Sequence, residues 1–267
     1  MSDWKNMDQW YTVLPPSRPT LEELNRIELY LDNIERNEPI AILGSTPEFR
    51  ELIFRLGFEK RFIIDKSKDF YQRMGKLIPN SVQSNEFFLN GEWTNILGEY
   101  NEYFKVILSD LTMGNIPYNE REAFYSNLSK SLSKGGLFID KVLAFDFTIP
   151  SLYDLFDKYE KMPINLRTIN DFSSEVLFCS ELVKKKNIVD STEFYQIIRE
   201  GNYSEKIKFF ADAAHMITPE GFTWGYGVEW KVLEPEYKKF YESQIVYLEE
   251  DVNSPYYHRT KQFFNVK

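Results

Sequence analysis

The stretch PIAILGSTPEFRELIFRLGFEKRFIIDKS, Pro39–Ser67, decides the fold of this chain. Its first apolar run, PIAILG, predicts a short buried strand, and RFIID predicts a second one that closes on Asp65. Between them, TPEFRELIFRLG predicts a helix with Pro47 in its first turn and Gly57 at its C-terminal end. Strand, helix and strand in this order predict a right-handed crossover unit of a parallel sheet.

The same alternation continues after this stretch. NEFFLN, FKVILSD and LFIDKVL predict a third, fourth and fifth strand, and helical patterns separate them. Before it, TLEELNRIELYLDNI predicts a helix that begins with a capping box at Thr20 and Glu23. Strands that alternate with helices indicate an α/β fold whose sheet is covered on both faces.

Beyond about Ile149 the pattern becomes helical. Four consecutive helices are predicted at SLYDLFDKYEKM, DFSSEVLFCSELVKK, STEFYQIIRE and EKIKFFADAAHMI. A strand at GVEWKVL, a helix at PEYKKFYESQ and a final edge strand at TKQFFNV follow. We expect the helices to form an insertion above the carboxyl ends of the parallel strands, where such sheets bind ligands.

Composition excludes several classes of function. The net charge of −9 disfavours a nucleic-acid partner. A single cysteine permits no intramolecular disulfide, which fits a reducing cytoplasm. The sequence has no signal-peptide pattern and no run of about 18 apolar residues, so we expect a cytoplasmic protein without a membrane span. Histidine and cysteine are too few to predict a metal site.

The loop after the first strand predicts a nucleoside site. Gly44 has no Cβ, so a ligand can approach the backbone there, and Ser45 or Thr46 can cap the following helix. Asp65 follows 21 positions later, where a carboxylate accepts hydrogen bonds from a ribose diol.

The same loop disfavours a phosphate. Pro47 removes a backbone donor, and Glu48 places negative charge where a pyrophosphate would sit. A cationic ligand with an adenosine and no phosphate fits better, and S-adenosylmethionine is such a ligand.

Later strand ends add candidates for the same site. After the third strand, the Glu92 carboxylate can accept from an adenine amino group and Trp93 can cover the ring. Asp110, at the end of the fourth strand, would line the place where the methyl group leaves. The adjoining Lys66 and Leu111 are further candidates.

Residues 39–143 resemble a class I S-adenosylmethionine-dependent methyltransferase with an LGxTPE(L/F)R first loop, here LGSTPEFR, followed by Asp65 and by GEW. The resemblance implies a Rossmann-like, seven-stranded, mostly parallel sheet of order 3-2-1-4-5-7-6, with helices on both faces and the seventh strand antiparallel. The pattern along the chain predicts four segments: an N-terminal arm and helix at 1–38, a cofactor-binding core at 39–149, a helical insertion or cap at 150–225, and C-terminal strands at 226–267.

The resemblance also assigns roles. Gly44, Ser45 and Thr46 approach the methionine part, Asp65 binds the ribose, Glu92 and Trp93 meet the adenine, and Asp110 lies near the sulfonium. In the N-terminal arm, Tyr11 covers the site and Arg18 pairs with the cofactor carboxylate. The second and third glycines of the usual loop are absent here.

Candidates for proton transfer are Asp110 and His215. His215, in FFADAAHMI, is either a general base that faces the pocket or a histidine of the core or rim. SDLTMG follows the fourth strand in place of an Asn-Pro-Pro-aromatic pattern, which argues against methylation of adenine or glutamine amides.

The sequence therefore predicts methyl transfer to an oxygen or nitrogen of a small molecule or peptide. A catalytically silent binding or regulatory protein of the same fold is the first alternative. A nicotinamide-dependent oxidoreductase and an aminopropyltransferase are the others, and a homodimer stays open.

Overall fold

The structure of the chain is a computed structural model. It describes residues 10, 13–15, 17–145, 149–178, 180–181, 188–218, 220–221, 223–225, 228–248 and 260–267.

The elements of the first half alternate as the sequence predicts. In chain order they are α1 (Leu21–Leu31), β1 (Ile40–Leu43), α2 (Pro47–Arg55), β2 (Arg61–Asp65), α3 (Lys68–Gly75), α4 (Asn80–Gln83), β3 (Glu86–Asn90), α5 (Trp93–Gly98), β4 (Phe104–Asp110), α6 (Arg121–Ser131) and β5 (Leu132–Phe145). Two short 3₁₀ turns, Thr112–Asn115 and Tyr118–Glu120, lie between β4 and α6.

The second half is mostly helical until the chain returns to the sheet. Its elements are α7 (Leu152–Lys161), α8 (Leu166–Phe178), β6 (Ile188–Asp190), α9 (Ser191–Glu200), α10 (Glu205–Ile217), β7 (Thr223–Gly225), β8 (Val228–Glu229), α11 (Trp230–Lys238), β9 (Ser243–Leu248) and β10 (Thr260–Val266).

The central sheet has the strand order β3-β2-β1-β4-β5-β10-β9. The first five strands are parallel neighbours, and β10 runs antiparallel to both β5 and β9. Counted along the sheet's own strands this is 3-2-1-4-5-7-6, with the seventh antiparallel, so the predicted fold class is confirmed. The short β8 pairs with the far end of β5, and β6 and β7 form a separate two-stranded sheet.

Alternate side chains of each strand enter different cores, which is why the sheet carries helices on both faces. Ile40 and Ile42 pack with α1 and α2, whereas Ala41 and Leu43 face the side covered by α5, α6 and α11. Because both faces are covered, β1 and β2 are buried along their whole length.

Helices α7–α10 follow β5 and enclose a core of their own, which confirms the predicted helical insertion. Phe172, Phe194 and Phe210, from three of these helices, are fully buried there. A Ser151 capping box begins α7, and Asp190 caps α9 through two backbone N–H groups.

Three predictions for the C-terminal part are wrong. Only two residues of GVEWKVL form a strand, because α11 begins at Trp230. The helix predicted at PEYKKFYESQ is also misplaced, because α11 already ends at Lys238 and the unpredicted strand β9 follows it. TKQFFNV is an interior strand and not an edge strand, since it pairs with β5 on one side and with β9 on the other. Within the described residues, every helix falls short of the length and apolarity that a membrane span requires.

Candidate functional site

The strand order places three predicted site positions side by side. β1 lies between β2 and β4, and Leu43 is in register with both Ile64 and Ser109. Gly44 therefore leaves β1 between Asp65 and Asp110, each the last residue of its strand. These are the carboxyl ends of parallel strands, where open α/β sheets bind ligands.

Gly44 adopts a backbone conformation that suits glycine alone. Its φ is +93°, and a Cβ built there would meet nothing within 4 Å. Its N–H donates to the Ile64 carbonyl at 2.8 Å. The loop is thus anchored to β2, with open space on the side that a ligand would approach.

Asp65 is buried and held from two sides. The Ser45 hydroxyl donates to Oδ2 at 2.8 Å, and the Ser67 N–H donates to Oδ1 at 2.9 Å. Burial raises the pKa of Asp65, while these hydrogen bonds oppose the rise. Ser45 therefore orients Asp65 and does not cap α2.

Thr46 occupies the N-cap position of α2, but its side chain makes no capping hydrogen bond. The predicted N-cap position of Thr46 is confirmed, but the predicted side-chain hydrogen bond of the cap is absent. Pro47 stands at the start of the helix as predicted, where its missing N–H costs nothing.

The N-terminal arm folds onto the first turn of α2. The Trp10 indole N–H donates to Glu48 Oε1 at 3.0 Å, and Arg18 Nη1 lies 3.7 Å from the same oxygen. Between them, the Leu14 N–H donates to Asn170 Oδ1 on α8 at 3.0 Å. The arm thus joins the loop after β1 to the helical insertion, while Tyr11 lies outside the described residues.

The segment after β3 lies beside Asp65. Trp93 is half-buried and donates its indole N–H to the Ile64 carbonyl at 2.7 Å. Glu92 is 56% exposed and pairs with Lys66 at 3.2 Å. Both residues are thus near the end of β2, with Glu92 at the solvent rim and Trp93 against the core.

Asp110 belongs to a buried group of three charges. Lys141 Nζ on β5 lies 2.8 Å from Asp110 and 3.3 Å from Glu23, the capping-box residue of α1. Burial raises the pKa of Asp110 to about 6, and the Lys141 charge opposes this rise. Burial lowers the pKa of Lys141, but the two carboxylates outweigh it, so the lysine stays charged.

Leu111 has a strained backbone. Its φ of 56° is left-handed, which costs a residue with a Cβ about 1–3 kcal/mol. Its N–H donates to the Lys141 carbonyl at 2.8 Å, and the turn Thr112–Asn115 follows. Strain of this kind is typical of functional turns, and this one begins directly after Asp110.

His215 lies elsewhere. It is on the exposed face of α10, and its ring contacts Tyr195 at 5.1 Å between centroids. The opposite face of α10 packs into the core of the insertion. The structure does not bring His215 to the strand ends, and its catalytic role stays a prediction.

The sequence pattern did not predict Lys141 and Glu23 as residues of the site. The lysine inside the apolar strand LFIDKVL could have indicated a buried ion pair, because a buried ammonium needs a carboxylate partner. Glu23 was hidden by its capping role, which it also performs. Within the described residues, no group of three or more His, Cys, Asp or Glu side chains is placed to hold a metal ion.

No family model matches the chain, and no curated protein matches it. Solved structures do. One of them, named as a Zn-dependent alcohol dehydrogenase from Rhodobacter sphaeroides, is 14% identical to this chain with a TM-score of 0.54. The alignment covers 97% of this chain and 94% of that one. At this identity the likeness shows the fold alone.

Two further structures align less well. The glycopeptide N-methyltransferase MtfA, in complex with S-adenosylmethionine, is 15% identical over 46% of this chain and 54% of that one, with a TM-score of 0.39. A spermidine synthase is 11% identical over 92% of this chain and 58% of its own, with a TM-score of 0.46. The alignments span little more than half of these two proteins, and at such scores the likeness carries no argument.

Proposed function

We propose that the chain binds S-adenosylmethionine at the ends of β1, β2 and β4. It transfers the methyl group to an oxygen or nitrogen of a small molecule or a peptide. The acidic net charge of −9 supports such an acceptor over a nucleic acid.

The observation that carries the proposal is the position of Glu48. In a dinucleotide site, the N-terminus of the helix after β1 binds the pyrophosphate through free N–H groups. Here Pro47 lacks an N–H, and the Glu48 side chain, 15% exposed, occupies the first turn with Trp10 bonded to it. A phosphate would be repelled there, whereas an adenosine ligand without phosphate would not.

The local charge supports a cationic ligand. Three carboxylates, Glu23, Glu48 and Asp110, face two cationic side chains, Lys141 and Arg18. The group carries a formal net charge of −1 beside the Gly44 loop. A sulfonium gains from such a surplus, because a partly buried charge is weakly screened.

Asp65 supports ribose binding. Each of its oxygens accepts one hydrogen bond in the structure and retains a lone pair. A ribose diol donates two hydrogen bonds, so it matches what the carboxylate can still accept. We assign the adenine to the segment of Glu92 and Trp93, with Lys66 holding the Glu92 carboxylate.

The reaction asks little of the protein beyond alignment. The acceptor's lone pair attacks the methyl carbon in line as the carbon–sulfur bond breaks, and S-adenosylhomocysteine leaves. The enzyme holds the two reactants in line and excludes water. A base is needed only for an acceptor that arrives protonated, and Asp110 is the candidate at the strand ends that takes up its proton.

A second candidate is a binding or regulatory protein that takes up the nucleoside without turnover. The ion pair of Asp110 with Lys141 favours this candidate, because the carboxylate closest to the proposed methyl position is already paired and is not free to act as a base.

Calorimetric titration tests the proposal. We expect micromolar binding of S-adenosylmethionine and S-adenosylhomocysteine and none of NAD. Tight NAD binding, or no binding of either adenosyl compound, would refute it. Methyl transfer from labelled cofactor to an acceptor library then separates the enzyme from the silent binding protein.

A further inference from the structure

Asp140 is a carboxylate in the interior of the sheet, next to Lys141 but on the opposite face. Its side chain lies among the apolar residues beneath α6 and α11, and it is 1% exposed. The hydroxyl of Tyr237, a fully buried residue of α11, donates to Asp140 Oδ2. Burying a carboxylate is costly, so this hydrogen bond is what makes the position tolerable.

Two tyrosines connect this carboxylate to the turn after β4. The rings of Tyr237 and Tyr125 meet edge to face at 5.2 Å between centroids. The Tyr125 hydroxyl donates to the Met113 sulfur at 3.2 Å. Met113 lies in the turn Thr112–Asn115, directly after the strained Leu111. A continuous path therefore runs from Asp140 to the candidate site.

The same turn also touches the insertion, because β7 packs against it. Its position therefore affects both Asp110, at the end of β4, and the two-stranded β6–β7 sheet of the insertion. A residue that fixes Met113 thus fixes one wall of the candidate site.

The groups that face this path come from four elements. Ser109 faces Asp140 from β4, Tyr237 faces it from α11, and Tyr241 from the segment that follows, while the charge of Asp110 acts on it from the opposite face of the sheet. Arg121 of α6 and Glu236 of α11 act on Tyr125.

Of the groups along the path, the Asp140 carboxyl titrates near neutrality. Burial raises its pKa to about 7; the hydrogen bond from Tyr237 and the neighbouring Ser109 hydroxyl oppose the rise, and the Asp110 charge adds to it. Burial raises the pKa of Tyr125 and Tyr237 well above the ordinary value, so both keep their protons.

We infer that Asp140 and Tyr237 are positioning residues that set the turn Thr112–Asn115 according to the charge of Asp140. When Asp140 is ionised, its carboxylate accepts a hydrogen bond from the Tyr237 hydroxyl. When Asp140 is protonated, its carboxyl can donate a hydrogen bond to that hydroxyl instead. The Tyr237 hydroxyl is then released toward Tyr125, which alters the contact of Tyr125 with Met113. Ionisation deep in the core is thereby transmitted to the wall of the site.

The consequence for catalysis rests on the proposed function, but the link itself is measurable without it. The protein is prepared with ¹³C-methyl methionine, and Met113→Leu identifies the Met113 resonance among those of the six methionines. The resonance is followed from pH 5 to pH 9 in the wild type and in four variants, without cofactor.

We expect the wild-type Met113 methyl to shift with a midpoint near pH 7. Asp140→Asn removes this titration, and Tyr237→Phe and Tyr125→Phe each remove at least four-fifths of its amplitude. Asp110→Asn retains it. Unshifted resonances of the other methionines show that each variant is folded.

A Met113 methyl that does not titrate, that titrates unchanged in Asp140→Asn, or that loses its titration only in Asp110→Asn, overturns the inference. Failure of S-adenosylmethionine to bind in calorimetry would sink the proposed function and leave this titration intact, so the two failures are distinguishable.

Discussion

The Ser45 hydroxyl and the Asp65 carboxylate are joined by a 2.8 Å hydrogen bond between the loop after β1 and the end of β2. With the Ser67 N–H on the other oxygen, this bond fixes the carboxylate in one orientation. The lone pairs that remain are thereby preorganised for a ligand, since no rotamer freedom is lost on binding.

Replacing Asp65 with alanine should weaken S-adenosylmethionine binding about 10- to 100-fold, because hydrogen bonds to a charged group contribute about 1.5–3 kcal/mol. Isothermal titration calorimetry measures the change. Asp69→Ala is the matched control, since Asp69 is an exposed carboxylate in the first turn of α3. Equal affinity for the two variants would remove Asp65 from the site.

Gly44→Ala should impair both stability and binding, whereas Gly57→Ala should impair stability alone. Both glycines have positive φ, +93° and +82°, and a Cβ at either meets open space. Each substitution therefore carries a similar backbone cost, about 1–2 kcal/mol. They lie at opposite ends of α2, and the Gly44 methyl would enter the space assigned to the ligand.

Urea denaturation and calorimetry on the two glycine variants test this pairing. A loss of affinity in both, or in neither, would show that the space beside Gly44 is not where the ligand lies.

The sequence predicted the parallel part of the sheet because each strand there is a short apolar run bounded by a glycine or an aspartate. The C-terminal part was harder. Trp230 begins a helix in a stretch rich in aromatic and β-branched residues, which local pattern alone assigns to a strand. Whether TKQFFNV lies at an edge or inside depends on β9, a pairing partner that propensity does not reveal.

The candidate site shows the same division. Gly44, Asp65 and Asp110 were predictable because position at a strand end is a property of the local sequence. The partners of these residues were not, because Lys141 reaches Asp110 from 31 positions later in the chain, and Glu23 reaches Lys141 from 118 positions earlier. Such contacts depend on strand order, which the sequence pattern constrains only indirectly.

Lys141→Met should be strongly destabilising, by about 3–5 kcal/mol, because it leaves the Asp110 and Glu23 carboxylates buried without a counter-ion. It should also raise the pKa of Asp110 further, since the attraction that opposes burial is lost. Lys161→Met removes an exposed i,i+4 ion pair with Asp157 and should leave the urea midpoint unchanged. Similar midpoints for the two variants would mean that the buried group is hydrated.

Asp140 should make the protein less stable as pH rises from about 4 to 8. The folded state holds the Asp140 proton up to a pKa of about 7, whereas the unfolded state releases it near the ordinary value of 3.8. Between these values the folded state binds more protons, so the free energy of unfolding falls with pH. A pKa difference of about three units between the folded and unfolded states lowers the free energy of unfolding by about 4 kcal/mol at most.

Asparagine imitates the protonated carboxyl and does not ionise, so Asp140→Asn should lose this part of the pH dependence. We therefore expect the variant to gain stability relative to the wild type between pH 5 and pH 8, while the smaller contribution of Asp110, whose pKa is about 6, persists in both. Urea midpoints at pH 5, 6, 7 and 8 measure the difference. Parallel curves for the two proteins would show that Asp140 is ionised throughout this range, with its charge compensated by the Tyr237 and Ser109 hydroxyls.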